Sequence, residues 1–332
     1  MSTATLSCDD IIQAHQTIDP VFLNTPQFEL DALNTLLGIR LILKVETLNP
    51  IRSFKGRGTD YFVRQYIKQQ AKQQAPASAL VCASAGNFGQ GMAYACRQQQ
   101  IPLTVFAAET ANPLKLDRMR QLGADVKLAG TDFDAAKTAG KAYAAEYGLP
   151  YVEDGREPAV TVGAGTIGLE LCQYPELIDT LLIPLGNGAL INGIGTWFKT
   201  HSPETQVIGV VAEGAPAMDW SWKQGKLITA ATIDTIADGI GIRVPVPEAL
   251  ALMQTTVDDI VQVTDSAILA AMQQIHQLAG VVVEPAGAVG LAAAQVYRER
   301  FAGQLVATPL CGSNLTVAQM EQWLLVGGEE RR

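Results

Sequence analysis

The sequence predicts an α/β fold with two open twisted sheets covered by helices, arranged as a larger domain with a smaller inserted domain. The main observation is that short apolar runs alternate with amphipathic segments, first over 79–153 and again over 180–308. Alternation of this kind produces parallel sheets with right-handed helical crossovers. A length of 332 residues supports two moderate cores, and 48% hydrophobic against 17% charged residues indicates a folded globular chain.

The individual elements follow from the same pattern. Runs rich in Leu, Ile and Val predict strands at 40–46, 80–83, 103–107, 126–129, 151–153, 180–183, 207–211 and 305–308. Amphipathic segments predict helices at 9–17, 30–37, 55–74, 90–99, 113–122, 134–147, 191–199, 267–278 and 286–297. The pattern changes at Ala79, and a loop containing Gly155 and Pro158 follows Asp154. These breaks predict a small mobile domain at 78–154, inside a large domain formed by 1–77 and 155–332.

Charge and composition exclude several classes of protein. The 24 Lys+Arg against 33 Asp+Glu give a net charge of -9, and no basic run interrupts it. Neither nucleic acid nor an anionic membrane is therefore expected as a partner. The first residues lack the pattern of a signal peptide, and no apolar run approaches the roughly 18 residues of a membrane span. We expect a soluble, cytoplasmic protein. Its five cysteines and three histidines are scattered, which disfavours a disulfide framework and a histidine-based site.

One basic stretch, residues 49–61, contains a lysine in an unusual setting. Ser53 is a suitable N-cap, which places Lys55 in the first turn of a helix. The positive end of that helix, together with Arg52 and Arg57, disfavours the protonated amine. An unprotonated lysine forms a Schiff base with an aldehyde, so Lys55 is a candidate nucleophile. An ordinary surface lysine is the alternative.

Two loops of small residues follow predicted strands and precede predicted helices. The first loop is Ser84-Ala85-Gly86-Asn87-Phe88, and the second is Gly186-Asn187-Gly188-Ala189-Leu190. Loops of this kind aim backbone N–H groups at an anion, so they are candidate cradles for a carboxylate and a phosphate. For the first loop, a plain strand-to-helix turn is the alternative.

Two further motifs are weaker. Cys311-Gly312-Ser313-Asn314 ends a predicted strand and is by itself compatible with buried packing. Residues 163–168 match the dinucleotide fingerprint GxGxxG, but they do not close the first strand of a βαβ unit. An NAD-dependent dehydrogenase is therefore a remote alternative.

The order of these motifs resembles that of the fold type II pyridoxal phosphate (PLP) enzymes, which include tryptophan synthase β chains, serine and threonine dehydratases, serine racemases and cysteine synthases. The resemblance covers nearly the whole chain and is greatest to the serine/threonine dehydratase (ammonia-lyase) and serine racemase branch. It is carried by Ser53-Phe54-Lys55, Ser84-Ala85-Gly86-Asn87, Glu284-Pro285-Ala286-Gly287-Ala288 and Cys311-Gly312-Ser313-Asn314.

The resemblance implies a role for each group of residues. Lys55 is the implied catalytic residue, which forms the Schiff base and, once substrate has displaced it, removes the Cα proton. The implied cofactor contacts are Phe54, Lys55, Asn87, Gly186, Asn187, Gly188, Ala189, Leu190, Gly239, Glu284 and Cys311. The implied substrate contacts are Ser84, Ala85, Gly86, Asn87 and Phe88. A site for Mg²⁺, Ca²⁺ or Mn²⁺ is implied at Glu213, the Ala217 carbonyl and Asp219, with a solvated acidic loop as the alternative.

The implied function is PLP-dependent β-elimination, in which a β-hydroxy amino acid such as L-threonine or L-serine gives a 2-oxo acid and ammonia. A neutral thiol at Cys311 cannot hold the pyridine nitrogen protonated as a carboxylate would, which favours prompt loss of a β leaving group. The resemblance implies that the cofactor phosphate protonates the departing hydroxyl. Ala85 stands where the resembling racemases have a proton-donating serine, which favours dehydration. An amino acid racemase, a β-replacement synthase of the cysteine synthase type and a PLP-binding module without turnover remain alternatives.

Two positions depart from the pattern of the family. Asn187 and Ala189 interrupt a phosphate loop that is often all glycine, which predicts looser phosphate contacts. Arg52 stands where glycine is common, which predicts a reshaped substrate pocket. The family also implies a homodimer. After Asn314 we expect no regulatory domain, only a short helical tail ending in Glu-Glu-Arg-Arg.

Overall fold

The computed structural model describes residues 6–325. Its strands are β1 Gln27–Glu29, β2 Arg40–Val45, β3 Leu80–Ala83, β4 Leu103–Ala107, β5 Asp125–Leu128, β6 Tyr151–Val152, β7 Thr180–Pro184, β8 Gln206–Ala212, β9 Asp259–Val263 and β10 Leu305–Leu310. Its helices are α1 Cys8–Thr17, α2 Asp31–Leu37, α3 Lys55–Lys72, α4 Asn87–Gln98, α5 Pro113–Gln121, α6 Phe133–Glu146, α7 Pro158–Leu171, α8 Ala189–His201, α9 Ala217–Gln224, α10 Pro247–Thr256, α11 Asp265–Gln274, α12 Pro285–Val296 and α13 Val317–Leu324. The predicted α/β class is confirmed.

The larger sheet contains six strands in the order β1-β2-β10-β7-β8-β9. Strand β1 pairs antiparallel with β2, and the other neighbours are parallel. The two middle strands, β7 and β10, are buried along their length, as expected for a parallel sheet covered on both faces. Their carboxyl ends lead directly into Gly186 and Cys311, so these two predicted motifs lie at one edge of the sheet.

The smaller sheet contains four parallel strands in the order β5-β4-β3-β6. All four come from the segment between Leu80 and Val152. The carboxyl end of β3 leads into the Ser84 loop, and the carboxyl end of β6 leads to Asp154. In open sheets of this type ligands bind beyond the carboxyl ends of the strands.

Several elements escaped the sequence prediction. Strands β1 and β9 and helices α7, α9 and α10 were not predicted, and the π turn Ile275–Ala279 follows α11 where we expected continuous helix. Helix α7 is the clearest case, because most of its residues are buried. A helix that is apolar on all sides has no amphipathic period, so the pattern contains no signal for it.

The GxGxxG motif at 163–168 lies inside helix α7 rather than in a strand-to-helix loop. A Cβ built on Gly163 would lie 2.6 Å from the Cα of Gly58, so this glycine allows α7 to pack closely against α3. The glycines of this motif therefore serve helix packing, and nothing in their geometry forms a nucleotide cradle.

Within residues 6–325, no helix combines the length and the apolar character needed to cross a membrane. The predicted helical tail corresponds in part to α13, and its last residues, Glu329 to Arg332, lie outside the described residues.

Candidate active site

The loop before Lys55 is tied to the end of strand β10. The Ser53 hydroxyl donates to the Cys311 carbonyl at 3.1 Å, and the Phe54 N–H donates to the same carbonyl at 3.0 Å. Helix α3 begins at Lys55 itself with Phe54 at its N-cap position. Ser53 still accepts a hydrogen bond from the Lys55 N–H, at 3.3 Å. The lysine is thus attached to the central strand of the larger sheet.

The Lys55 side chain points to a carboxylate that the sequence analysis did not single out. Its Nζ donates to the two oxygens of Asp154 at 2.9 and 2.7 Å. Asp154 also accepts a longer hydrogen bond, 3.4 Å, from the Asn187 amide. The side chains of Lys55 and Asp154 are only 14% and 16% exposed, so the ion pair is largely shielded from water. The position of Asp154 directly after strand β6 was the available signal for it.

Two aromatic rings flank the same amine. The Lys55 Nζ lies 4.9 Å from the centre of the Phe54 ring and 6.0 Å from that of Phe88. A cation is attracted to the faces of such rings at these distances. The Lys55 amine therefore lies near its own neighbour Phe54 and near Phe88 of the first predicted loop.

Arg57 does not lie beside the Lys55 amine, so that part of the prediction is wrong. Its guanidinium is fully buried and bonds to both Glu46 and Glu170, with distances of 2.6 to 2.9 Å. Lys44 also donates to Glu170, at 2.6 Å. Helix geometry explains the difference, because residues two apart on a helix face different directions.

This buried charge cluster, Lys44, Glu46, Arg57 and Glu170, fixes the first turn of α3 against β2 and α7. Burial by itself raises the pKa of Glu170, but the hydrogen bonds and charges of Arg57 and Lys44 outweigh burial and lower that pKa to about 2. Burial opposes the charge of Arg57, and the two glutamates nevertheless raise its pKa. Glu170 and Arg57 therefore form an ion pair at neutral pH.

Asn87 begins helix α4 and is held by residues of the larger sheet. Its amide donates to Glu284 at 2.6 Å, and its oxygen accepts from Asn314 at 2.8 Å. Glu284 in turn accepts from the Asn314 N–H at 3.0 Å. Glu284 is buried, and burial raises its pKa. The structure thus brings together three predicted motifs, those at 84–88, 284–288 and 311–314.

The rest of the first loop is shaped by its serine. The Ser84 hydroxyl accepts hydrogen bonds from the N–H groups of Gly86 and Gly89, at 3.2 and 2.9 Å. Ala85 and Gly86 are half-buried at the turn itself. These hydrogen bonds brace the turn, which lies at the carboxyl end of β3.

The second loop, residues 186–190, opens helix α8. Gly188 has a φ of +91°, and a Cβ built on it would lie 3.0 Å from the Cβ of Ala249. Gly186 approaches Gly239, since its added Cβ would lie 3.2 Å from the Gly239 carbonyl oxygen. A Cβ built on Gly239 would lie 3.5 Å from the Oε1 atom of Glu284. Ala189 and Leu190 are buried in the first turn of α8.

Cys311 is buried at the end of β10. Its thiol donates to the Ala286 carbonyl at 3.6 Å, and burial raises its pKa. The thiol therefore remains neutral at ordinary pH. Ala286 follows Glu284 and Pro285, so Cys311 lies against the predicted 284–288 motif.

Arg52 adopts a left-handed backbone conformation, with φ +53°. A non-glycine residue rarely takes this conformation, which agrees with glycine being common at this position in the family. The Arg52 side chain lines a cavity of about 330 Å³ together with Gln90, Arg118 and Asn314. Arg118 also donates to the Asn314 amide oxygen. Asn314 connects this cavity to Asn87, because its side chain lines the cavity and donates to the Asn87 amide oxygen.

The predicted cation ligands lie on helix α9 and just before it. Glu213 is exposed, whereas Asp219 is buried and already bonded to Gln262 at 2.6 Å and to Lys223 at 2.8 Å. In the described part of the chain, no three His, Cys, Asp or Glu side chains group in a way that could hold a metal ion. The predicted set contains only two such side chains, because its third ligand is a backbone carbonyl.

The residues of the site fit a phosphorylated aldehyde. Asp154 connects a shielded lysine to the turn at 186–188, where a Cβ added at Gly186 or Gly188 would meet neighbouring atoms, and the Cys311 thiol and the Asn87 amide are further candidate contacts. Two glycine-containing loops and one amine define a class of protein, the enzymes that bind pyridoxal phosphate through a lysine.

Comparison with known proteins identifies the family. Residues 18–312 match the family described as "Pyridoxal-phosphate dependent enzyme". This chain belongs to that family.

Two curated relatives share about a third of the residues. The biosynthetic L-threonine dehydratase of Halalkalibacterium halodurans is 32% identical over 96% of this chain and 76% of its own length. The L-threonine ammonia-lyase of Thermotoga maritima is 32% identical over 96% and 78%.

Similar solved structures include a threonine deaminase and a serine racemase. Threonine deaminase isoform 2 of Solanum lycopersicum has a TM-score of 0.85 and 29% identity, covering 96% of this chain and 88% of its own. Maize serine racemase has a TM-score of 0.87 and 25% identity, covering 95% and 96%. The chain is therefore similar to both an ammonia-lyase and a racemase, and its own residues must decide between them.

Proposed function

We propose that this protein is a PLP-dependent ammonia-lyase that converts a β-hydroxy amino acid, such as L-threonine or L-serine, to a 2-oxo acid and ammonia. The observation that carries the proposal is the position of Lys55. Its amine lies in a shielded site and contacts Asp154 and Phe88, which follow strands of the smaller sheet, whereas Lys55 itself follows strand β2 of the larger sheet. Relatives named L-threonine dehydratase and L-threonine ammonia-lyase support the same reaction.

The cofactor has a natural place among these residues. Lys55 would hold its aldehyde, the N–H groups of residues 186–190 would hold its phosphate at the start of α8, and Asn87 would hold its phenolate oxygen. Phe54 and Gly239 would line its ring, and Cys311 would lie at its pyridine nitrogen. The cofactor supplies an electron sink for the bond that breaks at Cα.

The protein's own groups then do the proton chemistry. When the substrate amine has displaced Lys55, the free Lys55 amine is the general base that takes the Cα proton. The backbone of residues 84–88 binds the substrate carboxylate. Burial keeps the Cys311 thiol neutral, so this side chain would not hold a ring nitrogen protonated as a carboxylate would, which favours a reaction with prompt loss of a β substituent.

Ala85 favours elimination over racemisation. Inversion at Cα needs an acid on the face opposite Lys55, and an alanine methyl has no proton to give. A β-replacement synthase is the second candidate of the same class, and the addition of sulfide with serine would reveal it through formation of cysteine.

The first experiment tests the covalent link. The purified protein with PLP is expected to be yellow, and borohydride is expected to remove the colour and leave a reduced adduct on Lys55 that mass spectrometry locates. Lys55→Ala, tested beside it, is expected to be colourless. An adduct elsewhere, or none, refutes the assignment.

The second experiment tests the reaction. Release of 2-oxo acid and ammonia is measured over a panel of β-hydroxy amino acids that includes L-serine, L-threonine and bulkier relatives. Absence of 2-oxo acid from the whole panel, with epimerised substrate in its place, would establish a racemase and overturn the argument from Ala85. A protein that binds PLP but changes no substrate would be a binding module.

A cation at Glu213, the Ala217 carbonyl and Asp219 remains a prediction. Oxygen ligands suit Mg²⁺, Ca²⁺ or Mn²⁺, but a cation there has to displace the Lys223 amine from Asp219. If the site is real, Mg²⁺, Ca²⁺ or Mn²⁺ raises the unfolding temperature of the wild type and not that of Asp219→Asn. Equal shifts of the unfolding temperature in both proteins would refute a cation at this site.

Three further predictions concern the protein as a whole. The small domain at 78–154 is proposed to move against the large domain formed by 1–77 and 155–332, which limited proteolysis with and without substrate would detect. A homodimer is proposed from the family and is tested by sedimentation. A cytoplasmic location is proposed and is tested by cell fractionation.

A further inference from the structure

Asp154 contacts the reacting lysine and has no part in the function proposed above. Both of its oxygens accept hydrogen bonds from the Lys55 Nζ, at 2.9 and 2.7 Å. Among the described residues, Asp154 is the only carboxylate that contacts the Lys55 amine. The Asn187 amide adds a third hydrogen bond at 3.4 Å, so the carboxylate is anchored to the loop at 186–190 as well.

This position suits a group that handles the proton taken by Lys55. A base that removes the Cα proton becomes an ammonium, and a carboxylate at 2.7 Å stabilises that positive charge. The two side chains are mostly shielded from water, which keeps the proton between them. The β-hydroxyl oxygen of the substrate is only two bonds from Cα, so a pair that reaches the Cα proton is also near enough to reach this oxygen.

We propose that Lys55 and Asp154 form a proton relay from Cα to the departing β-hydroxyl, an inference that rests on the proposed ammonia-lyase function. Lys55 Nζ takes the Cα proton and passes a proton to the Asp154 carboxylate. Asp154 then donates it to the β-oxygen. The electron pair of the Cα–H bond enters a Cα–Cβ double bond as the Cβ–O bond breaks, and the hydroxyl leaves as water. Lys55 and Asp154 end in their starting forms.

The relay differs from the assignment of this proton to the cofactor phosphate. A hydroxide is a poor leaving group and has to be protonated, whereas chloride leaves without a proton. L-Serine and β-chloro-L-alanine, which share the carbon skeleton and differ in the leaving group, therefore separate the two steps. The relay predicts that only serine needs Asp154.

The experiment compares Asp154→Asn with the wild type on these two substrates. The variant is expected to lose at least about 100-fold in kcat for L-serine, the range typical of a missing acid–base group. Its kcat for β-chloro-L-alanine is expected to stay within a few-fold of the wild type. Equal losses on both substrates, or no loss on serine, would overturn the relay.

Controls separate this proposal from folding and from the proposed function. Glu153→Gln makes the same chemical change one residue away, at a carboxylate that pairs with Lys137 and Lys141, and is expected to keep both activities. Asp154→Glu is expected to restore part of the serine activity. The borohydride adduct on Lys55 shows whether Asp154→Asn still binds PLP.

A measurement on the wild type keeps the proposal testable if Asp154→Asn fails to fold. The kcat for serine is expected to fall in deuterated water, while that for β-chloro-L-alanine does not change. Equal isotope effects would contradict the relay. A wild type that releases pyruvate from neither substrate would instead refute the ammonia-lyase function itself.

Discussion

The amide of Asn87 donates to the carboxylate of Glu284 at 2.6 Å, although 197 positions separate the two residues in the chain. Asn87 follows a strand of the smaller sheet, and Glu284 caps the start of α12 beside the larger sheet. The orientation of Asn87 is therefore decided by the larger sheet. A side chain aimed in this way is preorganised to bind a ligand that reaches both sheets.

Burial of Glu284 makes a pH-dependent prediction. Burial raises its pKa in the folded protein above the ordinary value of 4.5, so Glu284 favours folding below pH 4.5 and opposes it increasingly as pH rises above that value. Glu284→Gln removes this titration but places an amide N–H against a hydrogen-bond donor. The variant should be less stable than the wild type near pH 4.5, and the gap should narrow toward pH 7. Urea unfolding at both pH values measures this difference in unfolding free energy. A difference that does not change with pH would contradict a raised pKa of Glu284.

The buried charge cluster makes a prediction of the opposite sign. The folded-state pKa of Glu170 is about 2, below its ordinary value of 4.5, so its contribution is complete above pH 4.5 and is lost as pH falls toward 2. Glu170→Gln leaves Arg57 and Lys44 buried without their full partner, which should cost about 3 to 5 kcal/mol of unfolding free energy at pH 7. The difference from the wild type should shrink below pH 4.5.

Glu176→Gln is the matched control for that experiment. Glu176 also pairs with an arginine, Arg40, but the two side chains are 55% and 46% exposed. Exposed pairs contribute less than about 1 kcal/mol, so this variant should unfold nearly as the wild type does. Equal losses for Glu170→Gln and Glu176→Gln would show that burial of the cluster is unimportant.

Gly188 provides a test of the phosphate loop. Its φ of +91° is unfavourable for alanine, and the new Cβ would press on Ala249. Gly188→Ala should therefore deform the loop and weaken PLP binding by about tenfold, as a cost near 1.4 kcal/mol would give. Gly225→Ala is the control, because Gly225 has a φ of +63° with open space around it. Fluorescence titration with PLP measures both, and equal affinities would contradict the assignment.

Ala85 provides a test of reaction choice. Ala85→Ser adds a hydroxyl at the position where the resembling racemases have their proton donor. We expect the variant to form measurable D-serine from L-serine while 2-oxo acid release falls. Chiral chromatography of the amino acid pool follows both products. If the variant forms no more D-serine than the wild type, a second acid at this position is not what limits racemisation.

Most of the structural elements that were predicted from the sequence depend only on residues that are neighbours in the chain. The strands that lead into the two loops, the helix that begins at Lys55 and the small-residue turns were all predicted, because each depends on neighbouring residues. Strand β9 and helices α9 and α10 were missed although they are equally local, since their patterns are short or only weakly amphipathic. Helix α7 was missed because it is buried on nearly every side.

The sequence by itself determined the α/β class, since local periodicity and residue type specify strands and helices. The order of its motifs also led to the proposal that Lys55 and the two loops form a cofactor site. Only the tertiary structure decided which charges meet. It placed Asp154, 99 positions away, against Lys55, and it turned Arg57 into a buried cluster with Glu46 and Glu170. The physical reason is that a side chain finds its partner through the packing of distant elements, and no local pattern records that packing.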